Sequence, residues 1–324
     1  KPDFDLSLFS GKTDSKVFSS LLNDPEKPLF NRVVQTKYPP GSTWKMLMSM
    51  AALGEGILTP TSTIACNGSF TYGNRSFADH GAYGNINVTR ALEVSANVFY
   101  YKLGLSVGID NYHKYGKLFG FGEKTGIDIP NETSGLLPSQ KYFDKRYGEN
   151  KWTQGFLVSL GIGQGELGVS PVQMVAYTAA LAMNGLYCQP HFVTKIRSNS
   201  TGLEEDVQFE QRRIDMPQAY YDAVKKGMFL VVNGNGTAGN IKSSEFTLCG
   251  KTGTAQNSSG KNHSWFVGFA PYEDPKIAIC VMGENEGWGS SFGAPVSGAL
   301  MVRYLGGPGS VIDGEVKSVA GGQD

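Results

Sequence analysis

The stretch Tyr38-Pro-Pro-Gly-Ser-Thr-Trp-Lys45 constrains this chain more than any other, because it dictates a rigid approach followed at once by a helix start. Each proline fixes its own φ and biases the residue before it away from the helical region, so the approach is extended. Gly41 lets the backbone turn, and the apolar-rich run to Leu53 predicts a helix over 42–53 that stops near Gly54. On that helix Ser42 and Lys45 lie on one face, one turn apart. A serine hydroxyl is a poor nucleophile until a base takes its proton, and a lysine stripped of water beside another cation can be that base. The first-turn position also sets Ser42 in the positive end of the helix dipole, near free N–H groups.

Taken alone, Ser-x-x-Lys is a weak signal that equally describes an ordinary helix start with a surface lysine. It recurs at Ser258-Ser259-Gly260-Lys261, in a polar stretch read as a solvated loop. Two further motifs give the first copy its context. Ser95-x-Asn97 pairs a hydroxyl able to relay a proton with an amide that both donates and accepts. Lys-Thr-Gly occurs twice. Lys124-Thr125-Gly126 precedes Ile-Asp-Ile-Pro and reads as a structural turn, whereas Lys251-Thr252-Gly253-Thr254 lies inside a β-like run. Gly253 leaves that strand without a side chain, room for a second backbone such as a peptide substrate along the edge.

Composition sets outer limits. The chain has 324 residues, 40% of them hydrophobic and 11% aromatic, which supports a large core and excludes a disordered chain. Lys+Arg and Asp+Glu balance at 29 each, so no basic field points to nucleic acid. Apolar runs such as Met174 to Met183 fall short of the roughly 20 residues a membrane span needs, and the chain reads as a soluble piece of a longer protein. The four cysteines lack C-x-x-C spacing and indicate neither a disulfide framework nor a redox site. Several Asn-x-Ser/Thr triplets, at Asn67, Asn74, Asn87 and Asn235, read as loops.

In chain order, residues 1–41 read as an extended segment. Residues 66–87 read as a Gly/Asn-rich loop, with a helix opening at Asn87 or Thr89. A helix at 110–119 precedes a loop-rich stretch over 120–172, and further helices are expected at 172–183, 217–232 and 294–305. Short strands are expected at 191–197 and 205–209, and a β-meander at 246–256, 265–270 and 276–282. Helices first and an antiparallel sheet late make the class α+β.

Ser42-x-x-Lys45, Ser95-x-Asn97 and Lys251-Thr-Gly253, in that order, resemble the three motifs of penicillin-binding proteins and serine β-lactamases. The flanks extend the likeness to the transpeptidase domain of class B penicillin-binding proteins, above all the penicillin-binding protein 2 group: Pro-Leu-Phe-Asn-Arg32, Asn-Val-Thr-Arg-Ala-Leu-Glu93, Gly-Ile-Gly-Gln-Gly165 and His-Ser-Trp-Phe-Val-Gly-Phe-Ala-Pro271. The resemblance implies one transpeptidase domain over 1–324, with a membrane anchor and a pedestal domain outside it. It implies a five-stranded antiparallel sheet flanked by helices, plus a helical subdomain. It also implies D,D-transpeptidation of peptidoglycan stem peptides ending in D-Ala-D-Ala, through an acyl-enzyme on Ser42 that β-lactams also form. Lys45 would be the base, Ser95 the proton relay and Asn97 the holder of the peptide amide. Lys251 would supply positive charge, Thr252 and Thr254 would bind the terminal carboxylate beside Gly253, and no cofactor is needed. Partners implied for the full-length protein are a SEDS-family glycan polymerase and elongation-complex proteins at the outer face of the cytoplasmic membrane.

Many penicillin-binding protein 2 relatives carry a Cys/Asp/His zinc cluster completed by a cysteine just after the second motif's serine. Cys66, Asp79 and His80 match three ligands, but Ala96 stands at the fourth, and structural zinc takes four. No metal is therefore expected. A β-lactamase would need an added glutamate to hydrolyse its acyl-enzyme. Glu166 is the nearest candidate, but it sits in the Gly-Gln-Gly turn expected of transpeptidases, without the asparagine expected four residues on. A β-lactam sensor domain is the binding-module alternative, and sensors lack the Gly-Ile-Gly-Gln-Gly pattern.

Overall fold

A computed structural model describes residues 2–149, 151–257 and 260–307. Ser258 and Ser259 of the second Ser-x-x-Lys lie outside the described residues.

The N-terminal stretch is less extended than its sequence suggests. It forms a 3-10 turn at Leu6–Phe9, helix α1 (Ser15–Asn23) capped by Asp14, and the short α2 (Arg32–Gln35) capped by Asn31. The Pro-Pro-Gly approach then delivers a 3-10 turn, Gly41–Trp44, that runs into α3 (Lys45–Gly54). Every residue of α3 from Lys45 to Leu53 is buried, so the helix is enclosed on all sides, with Lys45 and Ser49 as its buried polar residues. Trp44 anchors its start, its ring 4.7 Å from Phe121 and 5.6 Å from Tyr112.

Residues 66–87, expected as a loop, fall almost wholly in a long antiparallel hairpin of β1 (Ile64–Tyr72) and β2 (Arg75–Ile86). Tyr72 pairs with Arg75, so Gly73-Asn74 is a two-residue turn, a hairpin signal hidden among the other glycines. Phe70 and Phe77 pack on Tyr101 and hold the hairpin to the helical core. After α4 (Val88–Glu93), α5 (Asn97–Leu118) runs far longer than the helix expected at 110–119, with a non-helical kink at Gly108. The stretch expected to be loop holds two short helices, α6 (Gln140–Tyr147) and α7 (Gly155–Gly161). The first Lys-Thr-Gly is a turn, with Thr125 donating from both its N–H and its hydroxyl to Glu132.

Helix α8 (Pro171–Ala182) begins with a Ser170/Gln173 capping box. Four short strands follow, β3 (Leu186–Cys188), β4 (Lys195–Arg197), β5 (Glu204–Asp206) and β6 (Gln211–Arg213), in two pairs: β4–β5 is exposed, whereas β3–β6 buries Tyr187 in the main core. Helix α9 (Gln218–Asn233) leads to the main sheet: β7 (Cys249–Ala255), β8 (His263–Ala270) and β9 (Ile277–Gly283), antiparallel in that order. Helix α10 (Gly293–Gly306) covers one face.

Side chains alternate along a strand, and β8 uses both faces. Trp265, Val267 and Phe269 enter the larger core around α3 and α5, while Phe266 and Ala270 enter a smaller one with Val231, Ile241 and Met301. The sheet is thus buried between the helical subdomain and α10, and the α+β class holds. The strand number differs from expectation: among the described residues this sheet has three strands rather than five. In the described chain α9 and a 3-10 turn at Gly239–Ile241 precede the sheet and α10 follows it, and neither flank adds a strand to it.

Helices α5 and α7 touch through their backbones. A Cβ on Gly104 would lie 2.2 Å from the Leu157 carbonyl oxygen and 3.3 Å from Gly161 Cα. Backbone on both sides leaves nowhere to move, so Gly104→Ala is expected to destabilise the protein by about 1–3 kcal/mol in a denaturant melt. An unchanged midpoint would show that the two helices do not meet in this way.

Candidate active site

The lead-in, β7 and the loop after α7 meet around Ser42. Gly41 has φ 56, donates its N–H to the Gly163 carbonyl at 2.9 Å, and could not carry a Cβ because Thr254 O would lie 2.6 Å from it. Gly253 is hemmed in the same way by the Pro40 carbonyl, 2.7 Å from an added Cβ. The second backbone that Gly253 admits is therefore the chain's own lead-in, where the sequence suggested a substrate. Gln164 Nε2 donates to Thr254 O at 3.0 Å and closes this three-way junction. The nucleophile's turn is held by backbone contacts on two sides.

Lys45 is wholly buried, and its ammonium has no carboxylate partner. Nζ donates to Ser95 O at 2.7 Å, to Ser95 Oγ at 3.2 Å and to Asn97 Oδ1 at 2.7 Å. It also sits 5.5 Å from the centre of the Tyr100 ring, whose hydroxyl bonds Ser49 at 2.8 Å. Burial pushes its pKa well below the usual lysine range, and the nearby charge of Lys251 pushes it further, against an opposing pull from Asp79. Ser95 holds its place at φ 56, a conformation that costs a non-glycine residue about 1–3 kcal/mol and persists only where its surroundings enforce it.

Lys251 is also fully buried, donates to Thr252 O at 3.1 Å, and burial pushes its pKa down to about 7. The Thr252 hydroxyl shares a 2.5 Å hydrogen bond with the hydroxyl of Thr237, and Thr254 Oγ1 accepts from the Gly289 N–H at 3.3 Å.

These residues open on one cleft of about 570 Å³. Ser42, Ser95, Asn97, Thr252, Gly253 and Thr254 all line it, with Thr237 and Gln164 beside them. Arg75, Phe77 and His80 of the hairpin form one wall, and Trp288 the other. Among its described lining residues there is a guanidinium and no Asp or Glu. A cleft with a cation on its rim, two buried lysines behind it and no acid favours an anionic ligand. Thr237 and the hairpin residues Arg75 and Phe77 are not evident from the motifs, whereas Gln164 lies in the quoted Gly-Ile-Gly-Gln-Gly165 stretch without a role assigned to it there.

Residues 1–302 match the family description "penicillin binding protein transpeptidase domain". The chain belongs to the penicillin-binding protein transpeptidase family. It is 35% identical to the peptidoglycan D,D-transpeptidase MrdA of Haemophilus influenzae, over 94% of this chain and 50% of that protein. The crystal structure of Pseudomonas aeruginosa PBP2 in complex with WCK 5153 superposes with a TM-score of 0.86 at 33% identity, over 98% of this chain and 72% of that one. Helicobacter pylori PBP2, solved in complex with MreC, gives a TM-score of 0.81 at 32% identity, over 94% and 56%. The chain spans about half the length of the curated MrdA relatives it matches, 50% and 54%.

The zinc cluster of some penicillin-binding protein 2 relatives does not fit these residues. Both carboxylate oxygens of Asp79 are taken by backbone N–H groups. Burial, with help from Asp79, pushes the Cys66 thiol up to about 11. The His80 imidazole lines the cleft, and Ala96 offers only a methyl group. Among the described residues no group of three or more His, Cys, Asp or Glu is arranged to hold a metal.

Glu166 is also committed elsewhere. It accepts from Tyr142 at 2.7 Å and Tyr147 at 2.5 Å and pairs with Arg146 at 3.1 Å, outside the cleft lining. Burial pushes its pKa up, but these partners outweigh that and hold it below the usual range. The metal reading is tested by elemental analysis: purified protein is expected to carry well under one zinc per chain and to keep its melting temperature in chelator. Stoichiometric zinc, lost together with stability, would make Cys66, Asp79 and His80 ligands.

Proposed function

We propose that this chain is the catalytic domain of a peptidoglycan D,D-transpeptidase. The observation that carries the reading is a buried, carboxylate-free Lys45 joined to Ser95 and Asn97 at the floor of the cleft that Ser42 lines. Neutral Lys45 takes the Ser42 hydroxyl proton as Oγ attacks the penultimate D-Ala carbonyl. The tetrahedral oxyanion is received by the backbone N–H groups of Ser42 and Thr254, a contribution of about 3 kcal/mol per donor. The C–N bond then breaks. Ser95 Oγ passes a proton to the departing D-Ala amine and regains one from Lys45. An acceptor amine attacks the resulting ester, forms the cross-link and frees Ser42.

Asn97 has its carbonyl on Lys45, which leaves its amide N–H₂ for the peptide. Lys251, Thr252 and Thr254 suit the donor's terminal carboxylate, which meets no competing acid in the cleft lining. Among the described residues no helix is long and apolar enough to cross a membrane, and action at the outer face of the cytoplasmic membrane rests on the likeness to MrdA. The MreC-bound relative and a similar chain in a peptidoglycan synthase complex that coordinates polymerization and crosslinking support a place for the parent protein in such an assembly, with a SEDS-family polymerase as its glycan-synthesising partner.

Three measurements test the reading. Intact-protein mass spectrometry after incubation with a penicillin is expected to show one added ligand mass on Ser42, absent in Ser42→Ala, which persists for minutes to hours. Rapid return to the unmodified mass with catalytic consumption of the drug would instead make the protein a β-lactamase. Lys45→Ala is expected to slow acylation about 100- to 10,000-fold while the protein remains folded, the range a lost general base produces. Acylation near the parental rate would remove Lys45 from the mechanism.

The third is pH. Lys251, with its pKa pushed down to about 7, is charged below that pH and neutral above it, so acylation by an anionic β-lactam is expected to weaken on the alkaline side. The bound carboxylate favours the charged form and moves the midpoint upward. Lys251→Met should lose that alkaline decline, and a decline that survives the substitution would exclude Lys251 as its source.

A further inference from the structure

Asp79 lies on β2, outside the three motifs, and faces the start of α5. Its Oδ1 accepts from the Asn97 N–H at 2.8 Å and its Oδ2 from the Val98 N–H at 2.7 Å. The first N–H groups of a helix have no partner within it, and a side chain just before the helix usually caps them. Here that residue is Ala96, and α5 has no side-chain cap of its own. The hairpin supplies the cap from 18 residues upstream, and a carboxylate at a helix N-terminus gains from the dipole as well. The same Oδ1 accepts the His80 N–H at 2.8 Å, so the carboxylate is held from its own strand too.

What this cap holds is unusual. Asn97 is the first residue of α5, and its Oδ1 is one of three acceptors for Lys45 Nζ; the other two belong to Ser95, two residues earlier in its enforced left-handed conformation. We propose that Asp79 is a positioning residue for acylation: it fixes the start of α5 so that Asn97 and Ser95 hold the Lys45 amine. The inference rests on the proposed role of Lys45 as base.

The charged and titratable groups around Lys45 are Lys251 on β7 and Asp79 and His80 on β2, while the turn before α5 contributes the neutral Ser95, and α5 contributes Asn97 and the Tyr100 ring. Burial and Lys251 lower the Lys45 pKa, and Asp79 alone raises it. Removing the Asp79 charge therefore leaves Lys45 neutral to a lower pH, even as it loosens the acceptors around it. A residue that merely braces the fold would produce neither shift.

The test compares the parent with Asp79→Asn and Asp79→Ala. Asp79→Asn is isosteric and keeps one acceptor, so it guards against a variant that fails to fold. Acylation by a fluorescent penicillin is followed against pH, thermal melting reports the fold, and the Lys45 amine is titrated by NMR. Asp79→Asn is expected to melt near the parent, to acylate about ten- to a hundredfold more slowly at its optimum, and to move its acid limb and the Lys45 titration to lower pH. Parental acylation with an unmoved Lys45 titration would overturn the proposal. So would a rate loss that tracks only the unfolded fraction in both variants. If the parent itself does not acylate, the transpeptidase reading fails, whereas the NMR titration still judges whether Asp79 sets the state of Lys45.

Discussion

The structure depends on the burial of one ammonium group without an acid. Taking a lysine out of water costs several kcal/mol, and proteins usually offset this with a carboxylate. Here the partners of Lys45 are a carbonyl, a hydroxyl, an amide oxygen and an aromatic face, all neutral. Such a set stabilises a charge less than an ion pair does, so the amine gives up its proton readily. A carboxylate in the same place would hold the proton and leave the serine without a base. Much of the architecture serves this condition: α3 lies at the centre of the core, and the start of α5 is fixed against it.

The second requirement is that the serine be presented without slack. Loops provide exposure but rarely precision, and the chain resolves this by wedging a loop between backbones. The Pro-Pro-Gly lead-in has no room for a Cβ at Gly41, and β7 has none at Gly253, so the two cannot slide past each other. Gln164 closes the third side through Thr254 O, the same residue whose N–H is proposed for the oxyanion. Nucleophile and oxyanion donors are thus built on one rigid junction, which is the form of preorganisation that electrostatic stabilisation needs.

What could be read from the residues follows the range of each interaction. Ser42 and Lys45 were legible because one helical turn fixes their relation, and Lys251 to Thr254 because the β-like run around them is local. The helix at 172–183 carries a capping box and the one at 217–232 opens at a proline, and the structure holds α8 and α9 there. The hairpin β1–β2 was not legible as strands, because its bulges break strict alternation and its many glycines read as loop. Thr237 and the capping role of Asp79 depend on contacts between distant segments, which no local pattern encodes. The expected count of five strands came from family likeness alone, with no alternating segment in the described flanks to support it.

Two lysines in one acid-free site also couple their protons. On the proposed reading, an anionic ligand entering the cleft stabilises the charged form of Lys251, whose pKa of about 7 otherwise leaves it balanced between states. A charged Lys251 in turn lowers the pKa of Lys45, for which it is the second-largest influence after burial. Substrate binding would then do more than position a carbonyl. It would move a proton onto the lysine that grips the carboxylate and away from the lysine that must accept one from serine. Such coupling makes the base ready mainly when a ligand of the right charge is present, and it requires that no carboxylate of the protein itself line the cleft. That requirement is met among the described lining residues, where Arg75 is the sole charged side chain other than any charge on His80.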